Sequence, residues 1–329
     1  MMEKQPIVVA GAGAIGCFVG GLLAARGHDV TLLARRRVMD QITEHGLHLT
    51  DFGGLNVDVS VENLTLTDGP DCLQKAALIL VTLKTVDTAA MAQKIGRNAP
   101  KDAVVISLQN GLEAAQSLRD ILPSHEVRAG MVPFNVVPAG PGSYHRSTSG
   151  DIVIEAVQAP LADHLSHPDL VFENSDDIAA VQWGKLLINL NNALNALSGL
   201  TLQAQLLSRP WRLVMAAQMA EALKVLKAHG IQTKSSTPLP SALIPWVLRL
   251  PTPIFQRVAA KMLTIDPTAR TSMSYDLEAG KPTEIDALQG VIVRLGAEKS
   301  VPTPLCIRVR KHINQATGQG IPHLSPTQI

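Results

Sequence analysis

The sequence is poor in the residues on which several classes of protein depend. Its 329 residues include only three cysteines (Cys17, Cys72 and Cys306), which is no disulfide framework and fits a reducing cytoplasm. Aromatic residues make up 3%, which argues against stacking platforms for nucleobases. Basic and acidic residues nearly cancel, at 29 against 28, so neither nucleic acid nor an anionic membrane is an expected partner.

Long apolar runs are also missing. No uninterrupted run reaches about 18 residues, so no membrane span is expected, and the apolar run near the N-terminus is too short for a secretory signal. His164 and His167 are three residues apart without a nearby set of Cys or Glu, so we expect no metal site. With 46% hydrophobic and 17% charged residues, the chain is expected to form a folded cytoplasmic protein of about two domains.

Strands and helices alternate in the first half. Short apolar runs predict strands at residues 7–10, 29–34, 77–83 and 103–108, with a helix over residues 14–25 after the first strand. This alternation predicts an α/β fold with a parallel, doubly wound sheet of the Rossmann type. Two further stretches have β character. We expect a hairpin-like excursion at residues 47–66 and edge strands within residues 130–155.

The second half has a helical pattern. Helices are predicted over residues 181–197, from Ser208 to near residue 230, within residues 241–265 and over residues 283–298, and the polar end (residues 314–329) is expected to be a loose tail. We therefore predict an NADP-binding domain at residues 1–177 and an all-α substrate and catalytic domain at residues 178–329. The apolar stripe of residues 212–229 suits core packing or a homodimer contact.

A glycine-rich turn follows the first predicted strand and opens the first predicted helix. Its six residues are Gly11, Ala12, Gly13, Ala14, Ile15 and Gly16. In a GxGxxG motif, the first glycine permits the tight turn, the second admits a pyrophosphate, and the third lets helix and strand pack closely. The free N–H groups of the helix then bind the anion. The motif alone is weak, and a turn without a ligand is the alternative, but its position favours a dinucleotide site.

The second predicted strand ends in three consecutive arginines, of which Arg35 is the first. An NAD enzyme usually has Asp or Glu here to bind the ribose hydroxyls. A guanidinium instead suits a 2′-phosphate through its charge and its bidentate geometry. We predict NADP(H) as the cofactor with Arg35 as the main contact. The alternative is a solvated basic corner.

Polar residues follow the next two predicted strands. Lys84 comes just past the third strand, and Asn110 just past the fourth. Ligands of open α/β sheets bind outside the carboxyl ends of the strands, so a shared cofactor site would explain both positions. Taken alone, each is more typical of a surface lysine and of a turn.

A helical segment of the second half carries a polar stripe. At about 100° per residue, Asn189 falls at about 40° and Asn192 at about −20° from Lys185, so the three share one face. A lysine buried among amides has a lowered pKa and can donate a proton to a developing alkoxide. A wet helix face is the alternative. Glu284 lies at the margin of another apolar helix face, where it either serves the site or merely favours the helix dipole.

The order of the motifs resembles one known family. The segments GAGAIG, Arg35, VTLK, QNG, WGKLLINL and SMSYDLEAGKPTEID, in this order, are similar to those of the ketopantoate reductases (2-dehydropantoate 2-reductases). The resemblance spans most of the chain, although residues 38–76 carry no matching motif. It implies NADPH-dependent reduction of a 2-oxo acid, ketopantoate, on the pathway to pantothenate and coenzyme A.

The resemblance also implies roles for the polar residues of the second half. Lys185 would be the general acid that protonates the substrate carbonyl oxygen, and Glu284 would bind the substrate hydroxyl. Ser272 would hold the substrate carboxylate, and Asn189, with Asn192 beside it, would hydrogen-bond the substrate. Lys84 and Asn110 would lie near the nicotinamide.

Two positions depart from the family pattern. Ala193 stands where many members have a second Asn after the lysine, and Ala269 stands where some have an Asn before the serine. Both bear on substrate contacts rather than on hydride transfer. Two alternatives therefore stay open, which are a relative that reduces another small 2-oxo acid and a protein that senses NADP(H) without turnover. Lys185 and Glu284 argue against the sensor, which needs neither.

Overall fold

A computed structural model describes residues 5–157, 161–235 and 239–329. The first four residues, part of the N-terminal run assessed above for a targeting signal, lie outside these ranges. Contacts between residues divide the chain into two units, Met1–Ile178 and Ala179–Ile329. Among the described residues, no helix has the length and apolar character needed to cross a membrane.

The first unit is built on two sheets. The strands are β1 (Ile7–Ala10), β2 (Val30–Leu33), β3 (Leu47–Asp51), β4 (Asn56–Val59), β5 (Leu64–Thr67), β6 (Leu78–Val81), β7 (Val104–Ser107), β8 (Glu126–Met131), β9 (Val136–Gly140), β10 (Ser143–Arg146), β11 (Ile152–Glu155) and β12 (Phe172–Ser175). The large sheet is mainly parallel, with eight strands in the order β12-β11-β8-β7-β6-β1-β2-β5, and the small sheet has the order β4-β3-β10-β9.

The helices of this unit are α1 (Ala14–Ala25), α2 (Arg36–His45), α3 (Thr88–Asn98), α4 (Ala114–Ile121) and α5 (Leu161–Leu165). Strands β5, β2, β1, β6, β7 and β8 run parallel to one another in the doubly wound order 3-2-1-4-5-6. The predicted α/β class is therefore confirmed. The strand order reverses between β1 and β6, and an open sheet binds ligands at the carboxyl ends of such strands.

Each central strand is apolar on both faces because helices cover both sides of the sheet. In β1, Ile7 and Val9 belong to one core and Val8 and Ala10 to the other. The first core includes residues of α1, and the second includes residues of α3 and α4. This double burial explains why the sequence shows uninterrupted apolar runs instead of alternation.

Helix α1 lies between the two sheets. A Cβ atom at Gly20 would lie 2.6 Å from Leu32 of the large sheet, and one at Gly21 would lie 2.7 Å from Leu47 of the small sheet. The two glycines thus let the helix approach both layers closely. Burial on opposite sides accounts for the absence of charged residues from this helix.

The β-rich stretches differ in part from the sequence prediction. β3 and β4 form the expected antiparallel hairpin, but β5 leaves it and pairs in parallel with β2. The predicted excursion was therefore too long, because alternation does not reveal which sheet a strand joins. Of residues 130–155, β11 joins the large sheet, whereas β9 and β10 extend the small one. β8 was not predicted over its length, since Arg128 interrupts its apolar pattern; Arg128 is buried and paired with Glu126 at 2.6 Å.

The second unit is helical, and its described residues include no strand. Its helices are α6 (Ile178–Asn189, which begins at the boundary), α7 (Asn191–Ser198), α8 (Leu202–Leu207), α9 (Arg209–Ala228), α10 (Ile244–Arg249), α11 (Thr252–Val258), α12 (Ser272–Glu278), α13 (Val291–Glu298) and α14 (Pro304–Ala316). Of the prolines in residues 241–265, Pro245 and Pro253 lie in the first turns of α10 and α11, where no N–H group is needed, and Pro251 is the N-cap residue that precedes α11.

The expectation of a loose C-terminal tail was wrong. Residues 304–316 form α14, and the segment after it packs on the same unit. The N–H group of Leu324 donates to the carbonyl of Leu197 at 2.8 Å, and Arg308 donates to the carbonyl of Ile329 at 2.6 Å. The side chain of Ile329 is buried, so one apolar residue and a few backbone bonds fix a segment of polar composition.

A buried arginine joins the ends of two helices. Arg212 of α9 is 0% exposed, and its guanidinium donates to the carbonyls of Leu206 and Leu207 at the end of α8 and of Leu248 and Leu250 at the end of α10. These carbonyls have no partner within their own helices. The guanidinium also lies 4.1 Å from the centroid of the Phe255 ring. One side chain thus satisfies four carbonyls without an acid.

We expect Arg212→Ala to destabilise the second unit by about 3 kcal/mol or more, because it removes the donor from two buried and two partly buried carbonyls and opens a cavity. Thermal unfolding of the purified protein measures this. Arg209→Ala is the matched control, since Arg209 is exposed on the same helix, and it should change the melting temperature little. Equal melting temperatures for the two variants would contradict the assigned role.

Candidate active site

The glycine-rich turn lies at the carboxyl end of β1, where the strand order reverses. Gly11 has φ +106, and a Cβ there would lie 2.9 Å from the Leu83 backbone nitrogen, so the turn needs glycine. The N–H groups of Gly11 and Ala12 both donate to the carbonyl of Leu33 at 3.2 Å. The turn is thereby fixed against the ends of both neighbouring strands.

The other two glycines have different surroundings. A Cβ at Gly16 would lie 2.5 Å from the carbonyl oxygen of Gly11 and 2.6 Å from Oγ1 of Thr82, so this glycine allows α1 to approach the sheet. A Cβ at Gly13 would meet no atom of the described residues within 4 Å, so the space they leave above this exposed residue is open. The first intrahelical bond of α1 runs from Cys17 to Gly13, which leaves the N–H groups of Ala14, Ile15 and Gly16 without a partner inside the helix.

A buried amide connects the ends of β6 and β7. Nε2 of Gln109 donates to the carbonyl of Leu83 at 3.0 Å and to Oγ1 of Thr88 at 2.7 Å. Lys84 and Asn110 are the exposed residues next to these anchor points. Gln109 therefore fixes the loops that carry both predicted cofactor residues at one edge of the sheet.

Arg35 precedes α2 and is exposed, with 89% of its side chain accessible. Its guanidinium lies 3.6 Å from the carboxylate of Asp87, in the 3-10 turn Thr85–Asp87 that follows Lys84. The hydroxyl of Thr85 in that turn donates to the carbonyl of Asn110 at 3.3 Å. Arg35 therefore lies at the end of this surface turn that carries Asp87. Lys84 and Asn110 lie at its other end, where the turn begins.

The second unit presents a partly exposed stripe on α6 and α7. Lys185, Ile188, Asn189 and Asn192 are partly buried, at the spacing of one helix face, and the flanking residues Leu186, Leu187 and Leu190 are buried. Burial lowers the pKa of the Lys185 ammonium to about 8. The structure therefore places the three predicted polar residues on one face, and one of them is a lysine whose pKa is lowered.

The glycine before Lys185 has a structural reason. A Cβ at Gly184 would lie 1.9 Å from the carbonyl oxygen of Lys234, whose N–H group donates to the carbonyl of Ala180 at 2.8 Å. The backbone at Lys234 therefore crosses α6 in direct contact with it. This contact helps to bury the segment that carries Lys185.

The predicted helix over residues 181–197 is interrupted at Leu190. The buried side chain of Gln289 donates to the carbonyl of Leu190 at 2.8 Å and so takes an acceptor from the helix ladder. Gln289 lies in a π-helical turn, Asp286–Gly290. Glu284, which is partly buried, begins this segment, and its carbonyl accepts from the N–H group of Ala287 at 3.1 Å. Gln289 thus joins the Glu284 segment to the stretch between Asn189 and Asn192.

Ser272 is the exposed first residue of α12. The hydroxyl of its neighbour Thr271 donates to the carbonyl of Asn192 at 3.1 Å. Ser272 and Asn192 are therefore close in the fold although they are far apart in the sequence. Within residues 5–157, 161–235 and 239–329, no group of three His, Cys, Asp or Glu side chains is arranged to hold a metal ion.

Two protein-family models match the chain. The model described as Ketopantoate reductase PanE/ApbA matches residues 7–159, and the one described as Ketopantoate reductase PanE/ApbA C terminal matches residues 177–316. The chain belongs to the ketopantoate reductase family. It is therefore an oxidoreductase by family, and the resemblance inferred from the motifs is confirmed.

Individual relatives agree with this family assignment. A 2-dehydropantoate 2-reductase of Halobacterium salinarum is 27% identical over 308 residues, which cover 91% of this chain and 94% of that protein. A crystal structure of a PanE/ApbA family ketopantoate reductase from Ralstonia eutropha has a TM-score of 0.80 at 31% identity and covers 96% of this chain and 99% of its own. A D-mandelate dehydrogenase, solved with NADH and anilino(oxo)acetate, has a TM-score of 0.78 at 23% identity, which shows the shared fold; it covers 96% of this chain and 99% of its own.

Sequence reasoning missed several residues that hold the candidate site together. Gln109 was treated only as part of a turn, and Asn195 and Thr271 were not considered. A signal was present for Asn195, because Asn191 and Asn195 are four residues apart on an apolar helix and so form a second polar stripe. Both are buried, and a buried amide needs partners.

We expect alanine at Gly16 to affect folding and alanine at Gly13 to affect dinucleotide binding. Gly16→Ala brings a methyl group against Gly11 and Thr82 and should lower the melting temperature. Gly13→Ala meets nothing and should leave the melting temperature unchanged, yet weaken dinucleotide binding at the open start of α1. Thermal unfolding and titration of the protein with NADPH measure both effects. Undiminished affinity in Gly13→Ala would rule out this turn as the pyrophosphate site.

Proposed function

We propose that the protein reduces ketopantoate to pantoate with NADPH, as a step toward pantothenate and coenzyme A. The observation that carries the proposal is the face of α6 and α7, where Lys185, with its lowered pKa, lies beside Asn189 and Asn192. The family models and the curated relatives named 2-dehydropantoate 2-reductase support it. In this proposal residues 1–177 bind the cofactor, and residues 178–329 provide the substrate and catalytic residues.

The glycine-rich turn fits a dinucleotide. The space above Gly13 is open, and the N–H groups of Ala14, Ile15 and Gly16 are available to a pyrophosphate, whose negative charge the helix N-terminus favours. When bound, the dihydronicotinamide supplies the hydride. Lys84 and Asn110 belong to the same sheet edge, and we assign them to the nicotinamide side of the cofactor site.

The start of α2 favours NADP(H) over NAD(H). Arg35 precedes the helix, two further arginines follow in its first turn, and that turn contains no acid. Positive charge at a helix N-terminus is unfavourable by itself, because the helix dipole is positive there. A bound 2′-phosphate would remove this repulsion and accept charge-assisted hydrogen bonds from Arg35. Asp40 pairs closely with Arg36 at 3.1 Å, whereas Arg35 is 89% accessible and lies at a longer 3.6 Å from Asp87, so Arg35 is the proposed principal contact.

The second unit supplies the proton and the substrate contacts. The Lys185 ammonium would protonate the carbonyl oxygen as negative charge develops on it, and it would stabilise that charge beforehand. Asn189 and Asn192 would hydrogen-bond the substrate from the same helix face, and the Ser272 hydroxyl would bind its carboxylate. Glu284 would accept a hydrogen bond from the substrate hydroxyl.

A second candidate is the reduction of another small 2-oxo acid. Ala193 and Ala269 stand where family members carry amides, and both are buried. An alanine donates no hydrogen bond to a hydroxylated substrate, which favours a less polar group next to the keto acid. A panel of 2-oxo acids, followed by NADPH absorbance, separates the candidates. Turnover with ketopantoate supports the first, turnover only with other acids supports the second, and NADPH binding without any turnover would indicate a sensor.

We expect the rate of reduction to fall as the pH rises through about 8. The Lys185 pKa is lowered from 10.5 to about 8, so the amine is protonated below this pH and has no proton to donate above it. An ordinary lysine, with a pKa of about 10.4, would keep the rate nearly constant up to about pH 9. Initial rates between pH 6 and 10 at saturating NADPH measure the profile. A profile that stays flat to pH 10 would contradict the role of Lys185 as the acid.

Arg35→Ala should raise the KM for NADPH about tenfold or more and leave the KM for NADH nearly unchanged, because only NADPH carries the 2′-phosphate. Arg36→Ala is the matched control, since Asp40 already binds its guanidinium, and its effect should be smaller. Folding should not suffer in either variant, because each removes positive charge from a helix start. Equal rises in KM for NADPH and NADH would show that Arg35 does not contact the 2′-phosphate.

A further inference from the structure

A network of buried polar side chains joins α7, α8 and α12. Its centre is Asn195, which is 0% exposed. Its Nδ2 donates to the carbonyl of Leu200 at 3.0 Å and to Oε1 of Gln205 at 3.2 Å. Its Oδ1 accepts from the N–H group of Thr271 at 3.0 Å and from the hydroxyl of Ser274 at 3.1 Å. One amide therefore uses both of its ends to hold the first turn of α12 against α7.

Thr271 gives this junction a fixed register. Its N–H group is held by Asn195, and its hydroxyl donates to the carbonyl of Asn192 at 3.1 Å and lies 3.2 Å from that of Ser274. Ser272 is the next residue, and its side chain is exposed. The position of Ser272 relative to Asn192 is therefore set by the two hydrogen bonds that Thr271 makes with Asn195 and with Asn192.

The orientation of the amides follows from the backbone. The N–H group of Thr271 can only donate, so the oxygen of Asn195 must face it and the nitrogen must face Gln205. Asn191 also donates to Oε1 of Gln205, at 3.1 Å. Among the residues that the structure describes, this arrangement leaves Oδ1 of Asn191 and Nε2 of Gln205 buried without a hydrogen-bond partner.

The centre of this network serves backbone groups as well as side chains, because Asn195 pairs the carbonyl of Leu200 and the N–H group of Thr271. An apolar side chain of similar size would leave both groups without this partner. The network also provides a defined geometry, because each of its hydrogen bonds has a direction. The residues whose geometry it defines are those assigned above to the substrate.

We propose that Asn195 is a positioning residue that holds Ser272, in register with Asn192, for the carboxylate of the 2-oxo acid. The proposal rests on the proposed function, since it presupposes a 2-oxo acid at Ser272. Asn195 itself is buried and acts through Thr271. Its loss should therefore affect the binding of the acid and leave the binding of the cofactor as it is.

A double-mutant cycle on the full-length protein tests the coupling. The variants are Asn195→Ala, Ser272→Ala and the double variant, assayed with NADPH and the best 2-oxo acid of the panel. Asn191→Ala is the matched control, because Asn191 lies on the same helix, is buried and donates to the same Gln205 oxygen, but makes no contact with Thr271. Melting temperatures and the KM for NADPH show which variants remain folded.

We expect Ser272→Ala and Asn195→Ala each to raise the KM for the acid about tenfold, with unchanged KM for NADPH. The double variant should be no worse than Ser272→Ala, since Asn195 has nothing left to position. Asn191→Ala should lower the melting temperature but keep the KM for the acid. If the Asn195 and Ser272 effects multiply, or if Asn191→Ala matches Asn195→Ala, the positioning role is wrong and the proposed function stands.

A second pair of variants covers the case in which Asn195→Ala does not fold. Thr271→Val removes the hydroxyl and keeps the N–H group, so it should raise the KM for the acid, and Thr271→Ser should restore it. A wild-type KM in Thr271→Val overturns the proposal. Failure of the wild-type protein to reduce any 2-oxo acid overturns the proposed function, and this inference with it, and is distinct from every other outcome.

Discussion

The missing side chain at Gly16 is the constraint on which the first unit depends. Its backbone lies so close to Gly11 and Thr82 that a single methyl group would overlap both. This approach brings the start of α1 to the carboxyl ends of β1 and β6, between which the strand order reverses. The first N–H groups of the helix face open space there. A second close approach, at Gly11, places Leu83 beside the turn, and the carbonyl of Leu83 in turn accepts a hydrogen bond from Gln109. These contacts therefore fix the strand ends, the start of α1 and the loops after β6 and β7 in position relative to one another.

In the second unit the corresponding constraint is polar. Side chains from distant parts of the sequence donate into the backbone of α6 and α7. Gln289 takes the carbonyl of Leu190, and Thr271 takes that of Asn192. Each of these donors lies close in sequence to a residue assigned to the substrate, Glu284 or Ser272. The break between α6 and α7 is thus held by two hydrogen bonds from other segments, both on the C-terminal side of Lys185.

Periodicity and motif order were sufficient for the parts of the fold that depend on local sequence. β1, α1, β6 and β7 were predicted because burial on both faces produces apolar runs, and the glycine spacing carries its own geometry. β8 was missed because Arg128 looks like a surface residue until Glu126 is seen beside it. The break at Leu190 and the role of Asn195 depend on partners more than seventy residues away, which no local pattern contains. The tail was misjudged because one buried residue, Ile329, anchors an otherwise polar segment.

The position of α1 between two sheets has a consequence for the order of biosynthesis. The helix contains no charged residue, and one of its covering layers includes β10, which begins at Ser143. A ribosome therefore finishes α1 long before it produces the strand that shields its outer side. During that interval the nascent chain exposes the apolar side of α1 that β10 later covers. Exposed apolar segments of this kind are bound by molecular chaperones.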